Sequence, residues 1–123
     1  MKLYRKMIED ADGLPLVGDG PNMLGVRPAD PAYPKKIKDV DAVHGTDTVK
    51  PGKGMSAFGD PKEIPSPVRG VMWEIETDDL PEGLVHVQRG KRLAHYHIEP
   101  SREMTLDDLR ALLAATRDLW RRV

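Results

Sequence analysis

The segment Ala94-His95-Tyr96-His97-Ile98-Glu99-Pro100 sets three chemically capable side chains at alternate positions. Side chains alternate along a strand, so His95, His97 and Glu99 share one face, and Ala94, Tyr96 and Ile98 share the other. The first row can carry protons, bind a metal or hold a polar ligand. The second suits a core. Pro100 has no amide proton to give to a ladder and should end the strand. A two-His, one-carboxylate donor set is also the ligand set of several metal sites. Donors at i, i+2 and i+4 of a straight strand spread along a line, however, and converge on one ion only at a bend, so no metal ligands are assigned.

Other candidates lie upstream. Gly54 lets the backbone approach a ligand closely, and Ser56 puts a hydroxyl beside it. The surrounding Pro51-Gly52-Lys53-Gly54 has neither the GxxxxGK[ST] nor the GxGxxG spacing of a phosphate loop, and on pattern alone it is a tight turn into a strand. Arg5 near the start and Arg27 in a Pro-rich loop each present a fixed fork of donors suited to phosphate or carboxylate. Glu74-Ile75-Glu76 sets two carboxylates on one strand face, an arrangement able to do acid–base work when the environment separates their pKa values. From the residues alone, three readings stand: a metal-dependent enzyme using His95, His97 and Glu99, a site for an anionic or nucleotide ligand, and a non-enzymatic interaction domain.

The elements that must position these groups follow from periodicity. Leu3–Ile8 reads as a first strand. The stretch from Val68 to Glu76 contains a second, in which Val71, Trp73 and Ile75 alternate with Met72, Glu74 and Glu76. Leu84–Gln88 and Leu93–Ile98 form two more, joined as a hairpin through the turn Arg89-Gly90-Lys91-Arg92. Phe58, the only phenylalanine, is expected to pack inward. Thr105 caps a terminal helix, with Asp107 and Asp108 in its first turn. Leu106, Leu109, Leu112, Leu113, Thr116, Leu119, Trp120 and Val123 fall at helical spacing and form one apolar stripe along it. Pro21 to Pro51 is the least regular third, where closely spaced prolines prevent a helix.

Composition narrows the class. The 123 residues suit one domain spanning positions 1–123, and 39% hydrophobic with 32% charged residues fits a globular protein with a modest core. A formal net charge of −1 carries no whole-chain signal for nucleic acid or membrane. The lysines at 35, 36 and 38 are too few to argue nucleic-acid binding. No apolar run is long enough to span a bilayer, and Met1-Lys2-Leu3-Tyr4-Arg5 is not a secretory signal. With no cysteine, disulfides, thiol catalysis and thiolate zinc sites are excluded, which fits a reducing cytoplasm.

Several blocks taken in order carry a resemblance. They are Leu3-Tyr4-Arg5, Gly25-Val26, Gly54-Met55-Ser56-Ala57-Phe58-Gly59-Asp60, Asp79-Leu80-Pro81-Glu82-Gly83-Leu84-Val85-His86-Val87, and Lys91 to Pro100 with Met104 beyond it. In this order and spacing the chain resembles the small type VI secretion effector toxins with an ADP-ribosyltransferase-like fold. The resemblance implies a compact α+β fold, a split mixed sheet with a C-terminal amphipathic helix and an NAD-shaped cleft. It implies a growth-inhibiting toxin that acts in the bacterial cytoplasm, after delivery by a secretion system or as part of a toxin–antitoxin pair. NAD would be its substrate, a macromolecule its target, and a cognate immunity protein or antitoxin its inhibitor, with no membrane partner.

On matching positions the resemblance implies catalytic roles for Ser56, His95 and Glu99. It implies contacts to NAD from Tyr4, Arg5, Arg27, Ser56, His95 and His97. Reaction at the nicotinamide-bearing ribose carbon would pass through an oxocarbenium-like transition state stabilised by polar groups. Two departures stand out. Met55 occupies the place of Thr in the family's Gly-Thr-Ser block, and the usual catalytic Glu has no secure counterpart, Glu99, Glu74 and Glu76 being the candidates. A non-catalytic nucleotide- or protein-binding module on the same fold is the alternative these departures favour.

Overall fold

The computed structural model describes residues 1–66 and 68–123. Its strands are β1 (Lys2–Met7), β2 (Thr48–Val49), β3 (Met55–Phe58), β4 (Val71–Glu76), β5 (Leu84–Gln88), β6 (His95–Pro100), β7 (Met104–Thr105) and β8 (Arg121–Arg122), with one helix, α1 (Leu106–Ala115). Six strands form a sheet in the order β5-β6-β3-β1-β4-β8, and β2 pairs with β7 beside it. This is the expected α+β class. The ladders of the sheet are antiparallel, and parallel pairing among the described residues is confined to the isolated Val17–Leu24 bridge. No helix is long and apolar enough to cross a membrane.

The sheet is split at its centre. β1 and β4 pair along all six residues from Lys2–Glu76 to Met7–Val71, whereas β1 and β3 share one registered pair, Tyr4–Phe58. Beyond that pair the strands diverge, and a side chain crosses the gap. Arg5 donates from Nη1 to the Ser56 carbonyl at 2.7 Å, and from Nη2 to the carbonyls of Met23 at 2.8 Å and Pro21 at 3.2 Å. The irregular segment between β1 and β3 is thereby tied into the opening.

Alternation places Leu3, Met7, Met55, Ala57, Trp73, Ile75 and Ile98 on one face, where they form a continuous core with Leu106, Leu109 and Leu113 of α1. Each fully buried aliphatic side chain of this kind contributes roughly 1.5–3 kcal/mol. Thr105 caps the helix as expected, its Oγ1 accepting from the Asp108 amide at 3.1 Å.

Three expectations need correction. The sheet is antiparallel rather than mixed. The helix does not run on to Val123. It stops at Ala115, where the Thr116 hydroxyl turns back to donate to the Leu113 carbonyl at 2.6 Å and accepts from Trp120 Nε1 at 3.1 Å. Trp120 is still buried, but after a single 3-10 turn rather than on the helix. Arg121 and Arg122 then pair with Glu74 and Trp73 along the outer edge of β4, covering an edge that would otherwise be open to other strands. Phe58 does not pack inward either. It shares the opposite face with Tyr4 and Ser56, and the core aromatic is Trp73, which donates from Nε1 to the Met7 carbonyl at 3.1 Å.

Gly54 enters β3 against β6 with no room for a side chain. A Cβ there would overlap the Ile98 carbonyl oxygen and lie 3.0 Å from Glu99 Cα, so backbone would have to move. Gly54→Ala is expected to cost about 1–3 kcal/mol, read as a lower urea midpoint with unchanged slope.

Candidate active site

On the face away from the core, β3 and β6 bring Ser56 opposite His97 and Phe58 opposite His95. Ser56 Oγ lies 3.2 Å from His95 Nε2, and His95 Nδ1 lies 3.1 Å from the Arg89 carbonyl. A carbonyl can only accept, so this contact assigns the imidazole proton to Nδ1 and leaves Nε2 of the neutral ring as the acceptor of the Ser56 hydroxyl. Two neighbours fix the ring laterally. Phe58 lies tilted at 5.3 Å and His97 edge-on at 5.1 Å between centroids. The result is a hydroxyl–imidazole–carbonyl relay in which each hydrogen has a defined direction.

Ser56 also lines a cavity of about 610 Å³ that opens at the split between β1 and β3. Arg5, Lys6, Arg27 and Arg69 supply its charge, and Phe58, Ile64, Pro65 and Ile37 supply apolar wall. Among the described residues no carboxylate lines it. Arg27 is held by Asp39 through Nε and Nη2, both at 3.0 Å, while its backbone amide donates to the same carboxylate at 2.7 Å. Asp39 takes up Nε and Nη2 of the Arg27 guanidinium, which lines the cavity. Arg5 is buried, and loss of hydration lowers its pKa to about 10 despite the distant Asp39. It stays charged at neutral pH. Its terminal nitrogens serve the carbonyls across the split, and its Nε has no partner among the described residues.

The other expected site residues fall elsewhere. His95 reaches the cavity only through the Ser56 hydroxyl. Tyr4 stands between Phe58 and Glu74 on the same sheet face, off the cavity wall. Glu74 pairs with Lys2 at 3.2 Å and Glu76 with the N-terminal ammonium at 2.8 Å, toward the far side of the sheet. Glu99 is wholly buried. Its Oε1 accepts from the Gly52 amide at 2.8 Å and Arg89 Nη2 at 2.8 Å, and its Oε2 accepts from Arg89 Nε at 2.7 Å. His97 Nδ1 lies 3.4 Å from Oε2 without hydrogen-bond alignment. Glu99 is not among the described residues that line the cavity. Burial, with the neighbouring His95, pushes the His97 imidazole below its ordinary value and favours its neutral form.

Sequence reasoning missed Arg89, Asp39 and Arg69. Arg89 opens the turn after β5, and since β5 pairs with the strand of the His row, its side chain falls on that row's face.

Two outcomes follow from this geometry. Arg5→Lys keeps the charge but loses the fork, and the unfolding free energy in urea is expected to drop by roughly 2 kcal/mol or more. For Glu99, burial alone would raise the carboxyl pKa, but the Arg89 guanidinium and the Gly52 amide outweigh it and hold the pKa below the ordinary 4.5. A carboxylate lowered on folding stabilises above its unfolded value, and that contribution disappears as pH falls through the folded one. Stability measured from pH 6 down to acid should therefore fall more steeply for the unmodified protein than for Glu99→Gln.

A family model described as the Tse2 ADP-ribosyltransferase toxin matches residues 8–120. Arg27, Ser56, His95 and Glu99 lie inside the matched span and Arg5 just outside it. Comparison with curated proteins and with solved structures returned no match. With the family model covering nearly the whole length, the chain belongs to the Tse2 ADP-ribosyltransferase toxin family.

Proposed function

We propose that this toxin binds NAD in the cavity at the split of the sheet and that Ser56 and His95 act on the nicotinamide-bearing ribose and its acceptor. The observation that carries the reading is the charge of the cavity, with four cationic residues and, among the described residues, no carboxylate around a space of about 610 Å³. A dinucleotide brings two phosphates and two flat rings. Guanidinium forks match phosphate oxygens, and the Phe58–Ile64–Pro65 wall offers apolar surface for a ring. The volume is within the range of small-molecule sites.

In this reaction the bond from the ribose carbon to the nicotinamide nitrogen breaks and its electron pair neutralises the pyridinium, while an acceptor nucleophile bonds to that carbon and gives up a proton. Nicotinamide thus leaves neutral and needs no acid. The protein's tasks are to hold the diphosphate, to present polar groups to the ribose and to receive the acceptor's proton. Arg27, with Lys6 and Arg69, holds the diphosphate, and Arg5 contributes its charge and free Nε. The Ser56 hydroxyl orients the ribose. The Nε2 lone pair of His95 receives the proton through that hydroxyl.

Residues 1–123 act as one toxin domain in the bacterial cytoplasm, on a macromolecular target, and a cognate immunity protein or antitoxin restrains them. The toxin family supports this setting. A second reading, a nucleotide-binding module without turnover, has one observation behind it: Glu99 is fully engaged and no other carboxylate reaches the cavity wall among the described residues.

Nicotinamide release from NAD by the purified protein, with bacterial lysate supplying acceptors, separates the two. Ser56→Ala and His95→Ala are each expected to lower release by about 100-fold or more and to relieve growth arrest with unchanged circular dichroism. Arg27→Ala should mainly raise the KM for NAD. Calorimetric NAD binding with no release in any lysate would establish the second reading, and neither binding nor release would overturn both.

A further inference from the structure

The reaction proposed above uses Ser56 and His95, and the inference here rests on that reading. We infer that Glu99 is a positioning residue, which sets the tautomer and reach of His95 through Arg89 and sets the approach of Ser56 through Gly52.

The two members of the Ser56–His95 pair sit on the paired strands β3 and β6, whose ladder sets their spacing, and a single buried carboxylate ties down the two turns that flank them. On one side, Glu99 Oε1 accepts from the amide of Gly52. Gly52 lies in the turn that leads into β3, four residues before Ser56, and the chain between them is seated tightly at Gly54 against Ile98 and Glu99. On the other side, both Glu99 oxygens hold the fork of Arg89, at 2.7 and 2.8 Å. The backbone of Arg89 is joined to His95 twice. Its amide donates to the His95 carbonyl at 3.0 Å, and its carbonyl faces His95 Nδ1 at 3.1 Å. That second contact places the ring proton on Nδ1 and frees Nε2 for the hydroxyl. The carboxylate thus holds the turn that leads to Ser56 and the turn whose carbonyl faces His95, while lining no part of the cavity. The Arg89 side chain is 39% exposed. Without Glu99, water would compete for its guanidinium, and the turn that carries the Arg89 carbonyl would lose its anchor.

A group buried for packing alone would not be read by the imidazole. The orienting partners of a catalytic or ligating imidazole, by contrast, usually account for about 10- to 100-fold in activity when altered. The test combines kinetics of nicotinamide release with nitrogen-15 NMR of the histidine rings of the NAD-free protein. Glu99→Gln keeps the shape and loses the charge. It is expected to lower kcat about 10- to 100-fold with the KM for NAD within about 2-fold, and to move the His95 nitrogens from the Nδ1–H pattern toward a mixture of tautomers. Arg89→Lys, which keeps the charge pair but not the fork and sits partly in solvent, should show the same pattern to a smaller degree and serves should Glu99→Gln fail to fold. Thr105→Ala, a helix-cap change remote from this network, should lower stability and leave kcat and the His95 pattern alone.

A Glu99→Gln or Arg89→Lys protein with normal kcat and the Nδ1–H pattern overturns the inference. A loss of activity expressed in KM, with the His95 pattern retained, overturns it as well and makes Glu99 a binding or packing residue. The NMR arm needs no NAD. A shift in the His95 pattern upheld in a protein that releases no nicotinamide would keep the positioning role and reject the reaction, so the two readings fail separately.

Discussion

A cation taken out of water and given only carbonyls is the constraint around which this fold is arranged. Arg5 starts on the core side of β1, where hydration is lost, and burial lowers its pKa to about 10. A charge removed from water costs several kcal/mol, and each hydrogen bond from a charged donor returns about 1.5–3 kcal/mol. The contacts to Ser56, Pro21 and Met23 are of the number needed to balance that cost. The balance holds only while the strands stay apart. Were β1 and β3 to close into a full ladder, the guanidinium would lose its place and the cavity would vanish. The split is therefore a property of the ground state, held by a side chain that also gives the cleft its positive sign.

The opposite charge is handled in the opposite way. Glu99 is buried on the ligand-side face, and its partners are a guanidinium fork and a backbone amide. An acid so enclosed ties together the segments that hold it. Arg5 holds a gap open, and Glu99 holds two segments together. Between them lies the Ser56–His95 pair, whose polarity is decided by a backbone carbonyl rather than by a carboxylate. A carbonyl in that position orients the ring and turns Nε2 toward the Ser56 hydroxyl.

Much of this was legible in the chain, and the limits have physical causes. The two-residue period of Ala94–Pro100 gave the correct face for His95, His97 and Glu99, and the Thr105 cap was readable because capping is local. Period alone does not reveal what covers a face. Gly52 and Arg89 arrive at Glu99 from other elements, and neither arrival leaves a trace in the spacing around residue 99. Phe58 was expected inside because large aromatics usually are, but β3 has one core face and Met55 and Ala57 already fill it. The stripe from Leu106 to Val123 did identify buried residues. It misjudged the route, because Thr116 redirects its hydroxyl into the helix end and Trp120 is reached by a turn.

The same alternation resolves the departure at Met55. Its neighbour Ser56 points toward the cavity, so position 55 must point the other way, and Met55 is fully buried in the core beside Ile98, with which it is paired across β3 and β6. A threonine there would place its hydroxyl among apolar side chains, on the side of the sheet away from Ser56. Loss of that hydroxyl therefore takes no donor from this cleft, and the methionine thioether fills volume that a threonine would leave empty. The absence of a carboxylate from the wall among the described residues has a similar reading. On the reading proposed above, a leaving group that departs as a neutral ring asks for no acid, and a cationic wall that would face a diphosphate has no place for an acidic side chain that would either pair with those cations or repel the ligand. On the reaction proposed above, what is needed is a base for the acceptor's proton, and His95 Nε2, oriented by the Arg89 carbonyl toward the Ser56 hydroxyl, is the group that would receive it through that hydroxyl.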